Sequence, residues 1–149
     1  MRKHVNQVEF ARQPSEIFPI LHTPSAIRQW WGAARVIVNP HAGGTWTAAW
    51  GQSEDDPDYI TTATISAIEA PRCLKLSDFD YFSKGGNPPF DMSGITTEFI
   101  LEQTAQGCAL TVIQDGFPDD HAADDYFSAC AQGWDDTLQS MSKFVAGMP

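Results

Sequence analysis

Apolar side chains recur every three or four residues through the last part of the chain. They stand at Tyr126, Phe127, Cys130, Trp134, Leu138, Met141, Phe144 and Val145. This is the period of an α-helix that buries one face, so it predicts a long C-terminal helix. Acidic residues at positions 119, 120, 124 and 125 mark its beginning, because the helix dipole favours negative charge there. Gly147 and Pro149 mark its end.

Alternation of apolar and polar residues predicts strands in most of the remaining chain. The first covers Lys3 to Phe10. About six more follow, over 35–38, 45–50, 59–68, 73–77, 96–102 and 108–114. The segment 78–92 contains two glycines and two prolines and is predicted to be a loop. Since short turns join most consecutive strands, we expect them to pair antiparallel.

Two short helices are predicted between the first and second strands. The first opens at Gln13-Pro14-Ser15-Glu16, with Ser15 as its expected cap. The second starts after Thr23, carries Trp30 and Trp31, and ends at Gly32.

These elements predict the fold class α+β. An antiparallel sheet with one apolar face needs a cover, and the C-terminal helix is the only element large enough to provide it. We therefore expect a curved antiparallel sheet of about six or seven strands around that helix, in one domain over residues 1–149. A curved sheet that holds a helix leaves a space between the two.

Charge and composition narrow the classes of partner. The net charge of −10 disfavours nucleic acid, because a polyanion repels phosphate. No run approaches the roughly 20 apolar residues of a membrane helix, so no membrane insertion is predicted. The basic start, Met1 to His4, lacks the apolar run of a signal peptide. Three cysteines without a C-x-x-C pair are predicted to be free thiols in a reducing compartment, which points to the cytoplasm.

Several short motifs, in this order, resemble the START-like (SRPBCC, Bet v1-like, helix-grip) superfamily and, more narrowly, the domain of activators of the Hsp90 ATPase. They are Pro24-Ser25-x-x-x-x-Trp30-Trp31, Gly43-Gly44-x-Trp46, Glu69-x-Pro71-Arg72-x-Leu74, Thr97-Glu98-Phe99, Gly107-Cys108-Ala109-Leu110-Thr111, Asp115-Gly116-Phe117 and Gly133-Trp134-x-x-x-Leu138. The resemblance implies a cavity between sheet and C-terminal helix that takes hydrophobic or amphipathic small molecules. It also implies a carrier, sensor or stress-related role.

Aromatic residues are the main candidates for lining such a cavity. The chain has five tryptophans, and a small core cannot pack so many large rings without leaving gaps. The predicted ligand-binding residues are Trp30, Trp31, Trp46, Phe79, Phe82, Phe99, Trp134 and Leu138. Plain core packing is the alternative for each of them. Gly133 costs helix stability, so we expect close approach of the helix to a neighbour there, or else room for a ligand beside Trp134.

A small cyclase- or hydrolase-like enzyme that acts inside the same cavity, as in some START-like proteins that the chain resembles, is a second hypothesis. Polar residues that would serve it are Glu98, Asp78, Asp80, Arg35 and His41, although each is expected at the surface unless the strand register turns it inward. No catalytic residue can be named from the sequence. His and Cys spacings fit no metal site, and no Gly-rich phosphate loop is present, so we predict neither metal nor cofactor.

A third hypothesis is a protein-interaction module related to Hsp90 co-chaperone domains, with a filled core and an exposed apolar patch. The chain is expected to be a monomer or a homodimer, the latter through an edge strand.

Overall fold

The computed structural model describes all 149 residues, Met1–Pro149. Seven strands and three α-helices make up the fold, and two short 3₁₀ turns precede α2 and α3. Their bounds are β1 Arg2–Phe10, α1 Pro14–Ile17, the first 3₁₀ turn Phe18–Leu21, α2 Pro24–Trp31, β2 Arg35–Val38, β3 Thr45–Trp50, β4 Tyr59–Glu69, β5 Cys73–Ser83, β6 Thr96–Thr104, β7 Gly107–Phe117, the second 3₁₀ turn His121–Ala123 and α3 Asp124–Ala146.

All seven strands form one antiparallel sheet in the order β1-β7-β6-β5-β4-β3-β2. Strands β2 to β7 follow one another as hairpins, and β1 pairs with the last strand, β7. The sheet curves around α3, which confirms the predicted fold class. β1 and β2 are its two edges.

Helix α3 contains 23 residues and is therefore about 35 Å long. Its buried residues Trp134, Leu138, Met141 and Val145 are spaced by four, three and four, as the sequence pattern requires. The Asp120 side chain accepts a hydrogen bond from the Ala122 backbone N–H at 3.2 Å and so caps the 3₁₀ turn that leads into the helix.

The cap predicted for α1 is wrong. The N-cap residue is Gln13, and Ser15 lies inside the helix. The Gln13 backbone N–H donates to the Glu16 carboxylate at 3.3 Å, which leaves no capping role for Ser15. The end of α2 is as predicted, because Gly32 adopts the left-handed conformation with φ of 75°.

The predicted loop over 78–92 is also wrong at its beginning, because β5 continues to Ser83. Along β4 and β5, Thr62 pairs with Asp80 and Thr64 pairs with Ser77. Two β5 residues, Asp78 and Phe79, therefore stand opposite one β4 residue, which is a β-bulge. Asp78 has φ of +53°, which places it in the left-handed region.

The hydrophobic core occupies only part of the space between sheet and helix. Beneath the second half of α3, buried side chains fill it, including Leu138, Met141 and Val145 from the helix and Leu110 from β7. α1, α2 and the 3₁₀ turn between them add further buried side chains to this region. The first half of α3 instead covers a cavity.

Candidate functional site

A cavity of about 380 Å³ lies between the sheet and the first half of α3. This volume is in the range of small-molecule sites. Fourteen of its nineteen lining residues are hydrophobic. The lining residues are Trp31, Trp46, Trp50, Tyr59, Thr61, Leu76, Phe79, Tyr81, Met92, Ile95, Thr97, Phe99, Gln114, Phe117, Tyr126, Cys130, Gly133, Trp134 and Thr137.

Tryptophans form one wall of this cavity, with Trp31 at their centre. The centroid of its ring lies 4.7 Å from that of Trp50, 5.2 Å from that of Trp46 and 6.1 Å from that of Trp134. The contact with Trp50 is edge-to-face, whereas the contact with Trp134 is stacked. Such pairs each contribute about 0.5–1.5 kcal/mol beyond the area they bury. The wall is therefore a connected set of rings from α2, β3 and α3.

Backbone carbonyls orient two of these rings and the neighbouring Trp30. The Trp46 indole N–H donates to the Leu21 carbonyl at 3.1 Å. The Trp50 indole N–H donates to the Trp31 carbonyl at 3.5 Å. Trp30, which lies in the core, donates to the Ile20 carbonyl at 2.9 Å. Buried indoles are held in one orientation by such bonds, so this part of the wall is preorganised.

The bulge at Asp78 decides which β5 side chains reach the cavity. Leu76 faces inward before the bulge, and strict alternation would place Asp78, Asp80 and Phe82 on the same face. The additional residue reverses the alternation, so that Phe79 and Tyr81 line the cavity and Phe82 is 44% exposed. Because of this bulge, the rings of Phe79 and Tyr81 face the cavity in place of the carboxylates of Asp78 and Asp80.

The structure brings five of the eight predicted residues together and separates three. Those that line the cavity are Trp31, Trp46, Phe79, Phe99 and Trp134. Phe82 points away because of the bulge. Trp30 and Leu138 are buried in the core and do not line the cavity, and Leu138 lies one turn of α3 after Trp134.

Sequence reasoning did not single out Tyr126 and Cys130, which line the cavity. Both precede Trp134 at intervals of four on the stripe that defines α3, and this spacing was the signal that could have found them. Trp50 shares a strand face with Trp46, as period-two alternation along β3 indicates, although it was not among the eight predicted ligand-binding residues. Gln114 and Met92 carry no such signal.

Gly133 lies on the cavity side of α3 with open space in front of it. A Cβ atom built on Gly133 would meet no other atom within 4 Å. The expectation of close approach to a neighbouring element is therefore wrong, and the alternative, room beside Trp134, describes the position. The helix carries a glycine that side-chain packing does not require.

Thr97 and Gln114 form a hydrogen-bonded polar pair in the wall of the cavity. The Gln114 amide Nε2 donates to the Thr97 hydroxyl at 3.0 Å, and the two residues pair directly across β6 and β7. Thr97 is 1% exposed, and its own hydroxyl hydrogen has no acceptor in the protein. The buried Gln114 Oε1 accepts no hydrogen bond from the protein. His4 pairs with Gln114 across β1 and β7, and its buried Nε2 also has no hydrogen-bond partner.

No charged side chain lines the cavity. The residues considered for catalysis lie elsewhere: Arg35 forms an ion pair with Glu54 at 3.2 Å, and Glu98 accepts from the Cys73 thiol at 3.6 Å. Asp78, Asp80 and His41 are exposed. No group of three or more His, Cys, Asp or Glu side chains is placed to hold a metal ion.

Burial raises the pKa values of two titratable groups in the wall, Tyr126 and Cys130. Removal from water raises the pKa of the Tyr126 phenol, and the nearby Cys130 thiol raises it further. Burial likewise raises the pKa of the Cys130 thiol. Both groups therefore stay protonated to higher pH than they would in water.

None of the helices combines the length and the hydrophobicity needed to cross a bilayer. All three cysteines are free, with Cys108 buried and Cys73 and Cys130 partly buried.

Comparison with known proteins gives one family and a set of structures. The model of the family described as "Activator of Hsp90 ATPase homolog 1-like protein" matches residues 11–146. Among solved structures, protein MLL2253 from Mesorhizobium loti is 17% identical, with 99% of both chains covered and a TM-score of 0.78. A protein from Rhodobacter sphaeroides is 20% identical, with 99% of this chain and 93% of that chain covered and a TM-score of 0.78.

The Aha1 dimer from Colwellia psychrerythraea, solved in solution, is 14% identical, with 97% of this chain and 96% of that chain covered and a TM-score of 0.76. At these identities the likeness shows the fold, and it confirms the helix-grip arrangement predicted from the sequence. No curated protein sequence matches the chain.

Proposed function

Because this chain belongs to the activator of Hsp90 ATPase homolog 1-like family and has a mostly apolar cavity, we propose that it binds a hydrophobic or amphipathic small molecule between sheet and α3. The observation that carries the proposal is the position of Gly133. A glycine inside a helix costs about 0.5–1 kcal/mol relative to alanine. Here no neighbour requires it, and the space in front of it is part of the cavity.

The walls support a binding role because their shape is fixed before any ligand arrives. The indole hydrogen bonds of Trp46 and Trp50 and the ring contacts of Trp31 hold the tryptophans in place. A preformed apolar pocket with few polar groups lowers the entropy cost of binding. A carrier or a sensor of such a molecule is the role that fits this geometry. Three unpaired thiols favour a reducing compartment such as the cytoplasm.

Catalysis in the same cavity has less support. General acid–base chemistry needs a side chain that exchanges a proton near neutral pH. The cavity is lined by no carboxylate, histidine, lysine or arginine, and burial keeps Tyr126 and Cys130 protonated. The interaction-module hypothesis also has less support, because a filled core was its premise and the first half of α3 covers a cavity.

The test is saturable binding of an uncharged hydrophobic probe, N-phenyl-1-naphthylamine, read by the quenching of tryptophan fluorescence. Gly133→Phe would fill the cavity, and Gly133→Ala is its matched control at the same position. We expect the wild-type chain and Gly133→Ala to bind the probe and Gly133→Phe to lose binding at least about tenfold. Circular dichroism would establish that both variants are folded. Equal binding by a folded Gly133→Phe, or no saturable binding by the wild-type chain, would overturn the proposal.

A further inference from the structure

The chemistry of the cavity wall restricts the class of ligand. Resting on the function proposed above, we infer that the ligand is an uncharged aromatic molecule with a hydroxyl group, and that this hydroxyl binds at the pair Thr97 and Gln114.

The absence of charge follows from the lining residues. A buried carboxylate or ammonium group is very costly unless an opposite charge or several hydrogen bonds compensate it. No cationic side chain lines the cavity, and the whole chain carries a net charge of −10. A ligand carboxylate held against this wall would therefore have no counter-charge, in a protein of the same sign. A cationic ligand would have aromatic faces around it but no carboxylate in the lining.

The aromatic character follows from the shape of the walls. Rings from three separate elements, α2, β3 and α3, meet at Trp31, and Phe99 on β6 contacts Trp134 edge-to-face at 5.6 Å. Flat, rigid surfaces match a flat ligand with both stacked and edge-to-face contacts. A flexible alkyl chain would lose more conformational entropy on binding and would leave gaps between these planes.

The hydroxyl group follows from the two unmatched polar atoms. Thr97 is almost fully buried, its oxygen accepts from Gln114, and its hydrogen has no protein acceptor. The Gln114 carbonyl oxygen has no donor. A hydroxyl group both donates and accepts, so one ligand hydroxyl beside this pair supplies what each atom lacks after a small rotation of the Gln114 amide. The other lining threonines, Thr61 and Thr137, are less buried, and water can satisfy them.

The experiment compares compounds with one two-ring skeleton at pH 7: 2-naphthol, naphthalene, 2-naphthoate, 2-naphthylmethylammonium and the saturated analogue decahydro-2-naphthol. We expect 2-naphthol to bind tightest. Naphthoate and the ammonium compound should each bind at least about tenfold more weakly, because their charge is buried without compensation. Naphthalene should bind several-fold more weakly because it lacks the hydroxyl group. The saturated alcohol should also bind several-fold more weakly because it lacks the aromatic ring contacts.

The variants locate the hydroxyl. Thr97→Val removes the hydroxyl at nearly constant shape and should weaken 2-naphthol about 5- to 10-fold while leaving naphthalene unchanged. Thr62→Val, a β4 threonine outside the cavity lining, is the matched control and should change neither. Equal effects on both compounds, or no effect of Thr97→Val on 2-naphthol, would overturn the assignment of the pair.

The outcomes also separate this inference from the function on which it rests. If N-phenyl-1-naphthylamine binds but naphthoate or the ammonium compound equals 2-naphthol, the ligand class is wrong and small-molecule binding stands. If the saturated alcohol equals 2-naphthol, the aromatic requirement is wrong. If neither the naphthyl series nor N-phenyl-1-naphthylamine binds, the proposed function itself fails.

Discussion

The indole rings of Trp31 and Trp134 stack with their centroids 6.1 Å apart and their planes 20° apart. This contact joins α2 to α3 at the edge of the cavity, and both rings line it. Trp134 is almost fully buried, whereas Trp31 is partly exposed and also contacts the rings of Trp30, Trp46 and Trp50. The two helices therefore meet through aromatic side chains that also form the wall of the proposed binding site.

The adjacent residues Trp30 and Trp31 should differ in their contribution to stability. Trp30→Ala should lower the free energy of unfolding by about 3–5 kcal/mol, because the ring is 1% exposed in the core and loses its bond to the Ile20 carbonyl. Trp31→Ala should cost less, about 1–3 kcal/mol, since one side of the ring faces the cavity. Urea unfolding followed by circular dichroism measures both. Equal losses would contradict the separation of core and cavity along α2.

Replacement of Gly133 by alanine should stabilise the protein. The added methyl group meets no atom within 4 Å, and alanine is the better helix former by about 0.5–1 kcal/mol. The increase should appear in the free energy of unfolding measured by urea titration. A decrease would mean that the backbone at Gly133 is closer to a neighbour than its open surroundings indicate, and would remove the main support for the binding proposal.

The bulge at Asp78 should tolerate glycine and resist a β-branched residue. Asp78→Val should lower the free energy of unfolding by about 1–3 kcal/mol, because valine is strained at a φ of +53°. Asp78→Gly should leave stability unchanged or raise it by up to about 1 kcal/mol. Asp80→Val is the control, an exposed position on the same strand outside the left-handed region. Thermal unfolding would decide, and equal losses for Asp78→Val and Asp80→Val would argue against strain at the bulge.

Stability should fall at alkaline pH in a way that depends on Tyr126. Burial raises the pKa values of Tyr126 and Cys130 in the folded chain, so the unfolded chain releases these protons first. The contribution of these two groups to the free energy of unfolding is fully present below about pH 8.5, the ordinary thiol pKa, and it decreases as the pH rises further. Each proton adds up to about 1.4 kcal/mol per pH unit to the slope.

Tyr126→Phe removes one of these protons and should make the decline above about pH 10, the ordinary phenol pKa, shallower. Urea unfolding at pH 8, 10 and 11 measures the slope for both proteins. An identical slope in Tyr126→Phe would show that the phenol does not lose its proton on unfolding in this range.

Short-range patterns predicted most of the elements. The bounds of β2 and β3 and the end of α2 at Gly32 agree with the sequence interpretation, because alternation and a left-handed glycine act over a few residues. Predictions that failed depended on contacts outside the pattern. Gln13 replaced Ser15 as the cap of α1 through its bond to Glu16. β5 ran on past Ser77 because residues 80–83 pair with β4, and the glycines and prolines that predicted the loop all follow Ser83.

The sequence by itself determined the order of the elements and the amphipathic stripe of α3, since both depend on spacing along the chain, and its short motifs carry the resemblance to the family. Only the tertiary structure decided which side chains face the cavity. The reversal at Asp78 turned Phe79 and Tyr81 inward and Phe82 outward, and the placement of α3 over the sheet left open space at Gly133. One additional residue in a strand reverses which side chains lie on each face of the sheet, so the local alternation does not reveal which of them point inward. A void depends on how several elements pack together, so local periodicity does not reveal it either.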